Sequence, residues 1–133
     1  MQKEYKINQV NPSKGALDFS YLLDAPAGKH GFVQAKNGHL YYEDGTRARF
    51  LGFNMATRSN AVNHELAEKL AGRFASLGVN VIRLHAADAP IGEQERSWSS
   101  CKEAPLLDYE KGTSRFFHPE GLDRFDYFVA KLK

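Results

Sequence analysis

The strongest constraint on the fold is a strand–helix–strand pattern in the middle of the chain. Arg49–Asn54 is extended and mostly apolar, Asn63–Leu77 carries leucine and phenylalanine at helical spacing, and Asn80–His85 is a second short apolar run. Because the helix and the second strand follow each other almost directly, the two strands are expected to be parallel, with a right-handed crossover. The pattern predicts an α/β fold.

Both ends of the central helix carry residues that helix ends favour. Asn63 is a suitable N-cap, and Glu65 places a negative charge in the first turn. Gly78 stands where a left-handed residue commonly ends a helix, and Val79 can then close over the last turn. The helix is therefore predicted between these two signals.

A β-hairpin is expected just before this unit. His39–Glu43 has strand character, Asp44-Gly45 is a turn signal, and Thr46–Asn54 resumes extended character. The apolar end of the second run is typical of a strand covered on both faces. Asn37-Gly38 is a further turn signal.

The chain divides at this turn. Residues 1–36 show little periodicity and are interrupted by proline and glycine, so they are predicted to form an irregular lead-in with room for one short strand near Phe32 and Val33. Residues 37–133 carry the hairpin and the alternating strands and helices.

The second half contains a long irregular stretch, residues 86–117, followed by a helix that begins at Pro119. The apolar stripe of this helix is predicted to contain Leu122, Phe125, Val129 and Leu132, with Phe128 beside it. No glycine or proline ends this helix before Lys133, and an α/β protein is expected to continue beyond that residue.

Composition excludes several classes of protein. The 133 residues suffice for one domain, and 18 basic against 16 acidic residues give a net charge of +2. Nucleic-acid binders concentrate positive charge far more strongly, and no run reaches the roughly 18 apolar residues of a membrane span. Neither a nucleic acid nor a membrane is therefore expected as a partner. A single cysteine, Cys101, excludes an intrachain disulfide and a multi-cysteine zinc cluster.

Localisation is unknown from the sequence. Met1 to Val10 is polar and has no apolar signal core, which is typical of a cytoplasmic chain. A secreted protein whose signal had been removed would begin in the same way. No phosphate-cradling glycine loop and no dinucleotide-binding fingerprint occurs, so no cofactor is predicted.

Three segments occur in a specific order: GHLYYEDGTRARFLGFN (38–54), ASLGV followed by NVIRLH (75–85), and HPEGLDRFDYF (118–128). Their order and spacing resemble the opening of glycoside hydrolases with a β/α barrel, most closely the cellulase-like family 5 of clan A. The resemblance covers roughly residues 31–133. It implies an incomplete (β/α)8 TIM-barrel fragment, the first two βα units preceded by a β-hairpin, because a whole barrel takes about 250 residues.

The resemblance implies a retaining hydrolase of O-glycosidic bonds in β-linked poly- or oligosaccharides. In such enzymes one carboxyl group protonates the leaving oxygen, and a second, about 5–5.5 Å away, attacks the anomeric carbon. In the family these acids follow strands four and seven, which would lie beyond Lys133. The parent protein is thus expected to be a glycosidase, whereas this chain has no catalytic residue of its own and is predicted to be inactive alone.

With Arg49–Asn54 as strand one and Val79–His85 as strand two, the substrate cleft would lie at the carboxyl ends of these strands. The resemblance implies that Arg83 hydrogen-bonds the nucleophilic carboxylate and keeps it ionised; a structural ion pair or an edge position is the alternative. His85 could line a sugar subsite or be a satisfied structural group. Asn54 could hydrogen-bond a sugar hydroxyl or cap the following loop.

The irregular stretch holds further candidates. Trp98 could stack on a pyranose ring or anchor the loop as a buried indole. Asp88, Glu93 and Glu95 could contact substrate, although loop carboxylates are usually just solvated. The five histidines lack the close spacing of a helix-borne metal site, and Cys101 has no activating setting, so neither a metal site nor a catalytic thiol is predicted.

A second interpretation is a complete, small, non-catalytic module that binds a carbohydrate or a protein through the loop that carries Trp98. A complete domain is expected to end its last helix with a stop signal, which the segment before Lys133 lacks. A barrel fragment would expose strand edges and apolar helix faces, so self-association is expected of it. In the parent, the partner is the carbohydrate substrate.

Overall fold

The computed structural model describes residues 17–89 and 105–133. Within these residues the chain is a mixed α/β structure with two small sheets and two α-helices. Strands β1 (Val33–Lys36) and β2 (His39–Tyr42) form an antiparallel hairpin, and β3 (Gly52–Ala56) and β4 (Val81–His85) form a parallel pair. The helices are α1 (His64–Ser76) and α2 (Pro119–Leu132). Three short 3-10 helices are also present: Ser20–Leu22, Thr57–Asn60 and Tyr109–Lys111.

The predicted parallel pairing is confirmed. The register runs from Gly52 opposite Val81 to Ala56 opposite His85, with α1 between the two strands in the sequence. Both strands begin later than predicted because the Asn80 side chain occupies the first positions of the ladder. Its Oδ1 accepts from the Leu51 N–H at 2.8 Å, and its Nδ2 donates to the Arg49 carbonyl at 2.8 Å.

Helix α1 begins and ends at the predicted signals. The Asn63 side chain accepts a hydrogen bond from the Leu66 N–H at 2.9 Å, which satisfies one of the donors left over in the first turn. At the other end Gly78 has a φ of 72°, and the Val79 N–H reaches back to the Phe74 carbonyl at 3.0 Å. This is the Schellman arrangement, which satisfies the last carbonyls of a helix.

The core lies between the parallel pair and the two helices. It consists of six buried apolar residues, and Phe128 of α2 and Ala67 of α1 are fully inaccessible. Partly buried side chains of β4, Ile82 and Leu84, pack against the same cluster. The full set is Met55, Val62, Ala67, Phe74, Val79 and Phe128.

The hairpin differs from the prediction. The ladder pairs β1 with β2 across Asn37-Gly38, whereas across Asp44-Gly45 a single bridge joins Tyr41 to Arg47. Asn37 and Gly38 both have positive φ, 51° and 74°, which gives a two-residue turn whose twist matches that of the paired strands. After Gly45 the chain must leave β2 to reach the parallel sheet, so the second pairing stays short.

Helix α2 begins at Pro119 as predicted, and the Nδ1 of His118 caps it by accepting from the Gly121 N–H at 3.3 Å. Its buried side is rotated from the predicted stripe: Phe128, Arg124 and Gly121 are buried, whereas Val129 is 41% exposed. The preceding segment approaches this side closely, because a Cβ on Gly121 would lie 1.9 Å from the Pro105 carbonyl oxygen. The segment that begins at Pro105 therefore packs against the buried side of α2.

The described part of the lead-in contacts both helix ends. The Phe19 N–H donates to the Ser76 carbonyl at 2.8 Å, and the Ala27 N–H donates to the Lys133 carbonyl at 2.9 Å. These bonds satisfy carbonyl groups at the carboxyl ends of the two helices, which have no partner inside a helix.

Candidate functional site

Three of the predicted site residues lie on one face of the parallel pair. Because side chains alternate along a strand, Asn54 of β3 and Arg83 and His85 of β4 point away from the face on which Met55 and Leu84 meet the helices. Asn54 lies directly opposite Arg83 in the register, and Arg83 Nη1 donates to Asn54 Oδ1 at 2.7 Å. The structure thus brings these three candidates together.

This polar face is open to solvent in the described part of the chain. Asn54, Arg83 and His85 are all exposed, and Val81 on the same face is 41% exposed. Within residues 17–89 and 105–133 the helices cover one face of this pair only, so cover on the second face of the first strand stays a prediction. Among these residues no carboxylate pairs with Arg83, and its side-chain partner is the Asn54 amide.

The short helix after β3 braces the carboxyl end of the sheet. Asn60, 1% exposed, donates from Nδ2 to the His85 carbonyl at 2.9 Å. Ser59 Oγ accepts from the Ala56 N–H at 2.9 Å and donates to the Ala56 carbonyl at 2.6 Å. Sequence reasoning missed Ser59 and Asn60, because nothing local marks a contact between residues 25 positions apart.

The loop after β4 begins with Ala86, whose φ is 50°, and turns back at once. Asp88 in this loop is exposed, and its carbonyl accepts a hydrogen bond from the Tyr109 hydroxyl. Desolvation raises the pKa of Tyr109, and the negative charge of Asp88 raises it further. Tyr109 therefore links the later segment to the edge of the site, a contact that the sequence does not signal.

Four residues considered from the sequence lie outside the described ranges: Trp98, Glu93, Glu95 and Cys101. Among residues 17–89 and 105–133, no three His, Cys, Asp or Glu side chains are grouped so that they could hold a metal ion. None of the helices in those ranges is long and apolar enough to cross a membrane.

A separate charged cluster, missed by sequence reasoning, joins the lead-in to the turn after β2. The two ring nitrogens of His30 contact the carboxylates of Asp24 and Asp44. Hydrogen bonds to Asp24 and then Asp44 raise the pKa of His30. Hydrogen bonds from Lys29 and His30 lower the pKa of Asp24, and the Thr46 N–H is the main cause that lowers the pKa of Asp44. The cluster holds the lead-in against the hairpin.

Comparison with known proteins adds no relative, since no family model, no curated protein and no solved structure matches the chain. The geometry of Asn54, Arg83 and His85 and their place in the sheet are therefore the features that bear on function.

Proposed function

We propose that this chain is the N-terminal part of a retaining glycoside hydrolase with a β/α barrel that acts on β-linked poly- or oligosaccharides. The observation that supports the proposal is the Arg83–Asn54 hydrogen bond between neighbouring parallel strands, with His85 at the carboxyl end of β4 on the same face. In β/α barrels the active site lies at the carboxyl ends of the strands, on side chains of this kind.

Arg83 would act by positioning and charge. A guanidinium has five N–H donors in a fixed plane, and one nitrogen is engaged by Asn54. The others suit a carboxylate, to which arginine donates in a bidentate manner. A nucleophilic carboxylate supplied by later strands would stay ionised beside this cation, ready to attack the anomeric carbon. Asn54 holds the guanidinium in place, and His85 supplies a polar group for a sugar hydroxyl.

The first test uses the chain alone. Titration of the ¹⁵N-labelled chain with cellohexaose should shift the backbone amides of Asn54, Arg83 and His85, whereas the α-linked maltohexaose should not. Arg83→Gln should weaken the effect, and Arg115→Gln, which changes the same charge on an exposed loop, should leave it intact. Shifts confined to other residues, or an equal loss in both variants, would count against the proposal.

The second test measures chemistry. The chain alone should release no reducing sugar from β-glucan, because both catalytic carboxylates are expected beyond Lys133. A version extended to barrel length from the natural coding sequence should hydrolyse a chromogenic β-glycoside. In that version Arg83→Gln should lower kcat/KM by about 10²-fold or more, as loss of a preorganised charge in an active site does. Glycan binding by the extended protein without hydrolysis would favour the non-catalytic module.

Self-association of the isolated chain belongs to the same proposal. In the described ranges β3 pairs only with β4, so the outer edges of both strands lack a strand neighbour. Leu51, Phe116 and Phe117 are also 56%, 52% and 53% exposed. Unpaired edges and apolar surface both favour association between copies. Sedimentation velocity should show dimers or larger species, and a monomer with a sharp melting transition would favour the complete module.

A further inference from the structure

We propose that the hairpin and the segment after it form a binding site for a phosphate or sulfate ester. The site is an open cavity of about 440 Å³, and its lining includes Lys36, His39, Arg47 and Arg49. That volume is within the range of small-molecule sites. The site shares no residue with the polar face of the parallel pair, and it does not depend on the proposed hydrolase function.

The charge of this cavity is the first observation. Its lining carries three permanent cations and His39 but no carboxylate, so it holds +3 in a chain whose net charge is +2. In residues 17–89 and 105–133 no carboxylate pairs with Lys36, Arg47 or Arg49. Unpaired like charges repel one another, and an anion relieves that repulsion.

Carboxylate pairing does occur elsewhere on the described surface. Four of the nine described Lys and Arg side chains outside the cavity pair with a carboxylate. They are Lys29 with Asp24, Lys69 with Glu65, Arg124 with Glu120, and Lys131 with Glu68. In the described ranges, the three Lys and Arg side chains of the cavity are distinguished by sharing one lining without a carboxylate.

Hydrogen-bonded backbone brings the cations together. Lys36 and His39 are paired in the register on either side of the hairpin turn. The Ala48 N–H donates to the Leu40 carbonyl at 2.9 Å, so the segment that carries Arg47 and Arg49 runs beside β2. The Asn80 side chain also binds the Arg49 carbonyl. The walls of the cavity thus rest on paired backbone rather than on a free loop.

The hydrogen-bond character of the lining favours a fully ionised oxyanion. Arg47 Nη2 donates to His39 Nδ1 at 3.0 Å, because a guanidinium can only donate. The charged groups of the lining are therefore donors. Phosphate and sulfate esters present only acceptors around a tetrahedral centre, which arginine recognises with paired N–H groups.

The test is calorimetric titration of the chain with inorganic pyrophosphate and, separately, with dextran sulfate against neutral dextran. We expect saturable binding of pyrophosphate, and Arg47→Gln/Arg49→Gln should raise its Kd by at least about tenfold. The double variant Lys111→Gln/Arg115→Gln removes the same charge outside the cavity and should change Kd less than about twofold. Binding of dextran sulfate alone, with the same dependence on Arg47 and Arg49, would identify the ester as part of a sulfated polysaccharide.

Equal weakening by both double variants, or no saturable binding of either anion, would overturn the proposal. The altered side chains are exposed, so the cavity variant is expected to melt like the parent. If it does not, Arg47→Lys/Arg49→Lys keeps the charges and the fold, and it should recover most of the affinity. Failure of that charge-preserving variant to bind, when it melts normally, would also overturn the proposal.

Discussion

Replacement of Phe128 by alanine should remove a large part of the stability of this chain. Phe128 is the largest fully buried side chain among residues 17–89 and 105–133, and it joins α2 to the cluster that contains Phe74 and Val62. Phenylalanine-to-alanine changes in a core typically cost about 3–5 kcal/mol, because transfer free energy is lost and a cavity remains. Domains of this size have about 5–15 kcal/mol in total. We therefore expect Phe128→Ala to lower the Tm by about 10 °C or more.

The measurement is urea unfolding followed by far-UV circular dichroism, with a thermal melt on the same samples. Phe128→Leu keeps most of the volume and should lose only about 1–2 kcal/mol. Phe117→Ala is the matched control, because Phe117 is 53% exposed, and its free energy of unfolding should change by no more than about 0.5 kcal/mol. Equal losses for the two alanine variants would refute the placement of Phe128 in the core.

Two further predictions concern the lead-in and α2. Because the carboxylate partners of His30 raise its pKa in the folded chain, its stabilising contribution is complete below the unfolded pKa and is lost as the pH rises through the folded one. The difference in Tm between the parent chain and His30→Gln should therefore shrink as the pH rises through this window, and a constant difference would exclude the coupling. Gly121→Ala places a Cβ against the Pro105 backbone and should cost about 1–3 kcal/mol in urea unfolding. Gly72→Ala in α1, where nothing lies within 4 Å, should instead stabilise the chain by about 0.5–1 kcal/mol, and the same sign for both changes would contradict the close approach.

The two turn signals show where sequence reasoning ends. Asn37-Gly38 and Asp44-Gly45 are both good hairpin turns by composition, and the sequence favoured the second. The structure builds its ladder at the first. At the second, the Asp44 side chain accepts from the Thr46 N–H at 2.8 Å, and pairing with β2 ends after Ala48 because the chain turns toward β3. Which of the two turns carries the ladder depended on the direction that the chain takes after Gly45.

Part of the candidate site was predictable from the sequence, and part depended on the exact register of the strands. Period-two alternation places Arg83 and His85 on one face of a strand, and parallel pairing makes Asn54 a neighbour. The hydrogen bond between Arg83 and Asn54 needed the exact register, which no local pattern contains. The supports from Asn60 and Tyr109 come from segments distant in the sequence, so they became visible only in three dimensions.

The sequence by itself determined what depends on neighbours along the chain. Helix α1 begins after Asn63 and ends just before Gly78, because capping and left-handed backbone are properties of single residues. Tertiary structure alone decided which side of α2 is buried, how His30 joins two acidic residues, and how the basic residues near the hairpin share one cavity. The physical reason is that packing and electrostatic interactions act between residues that are close in space. The path of the folded backbone sets those distances.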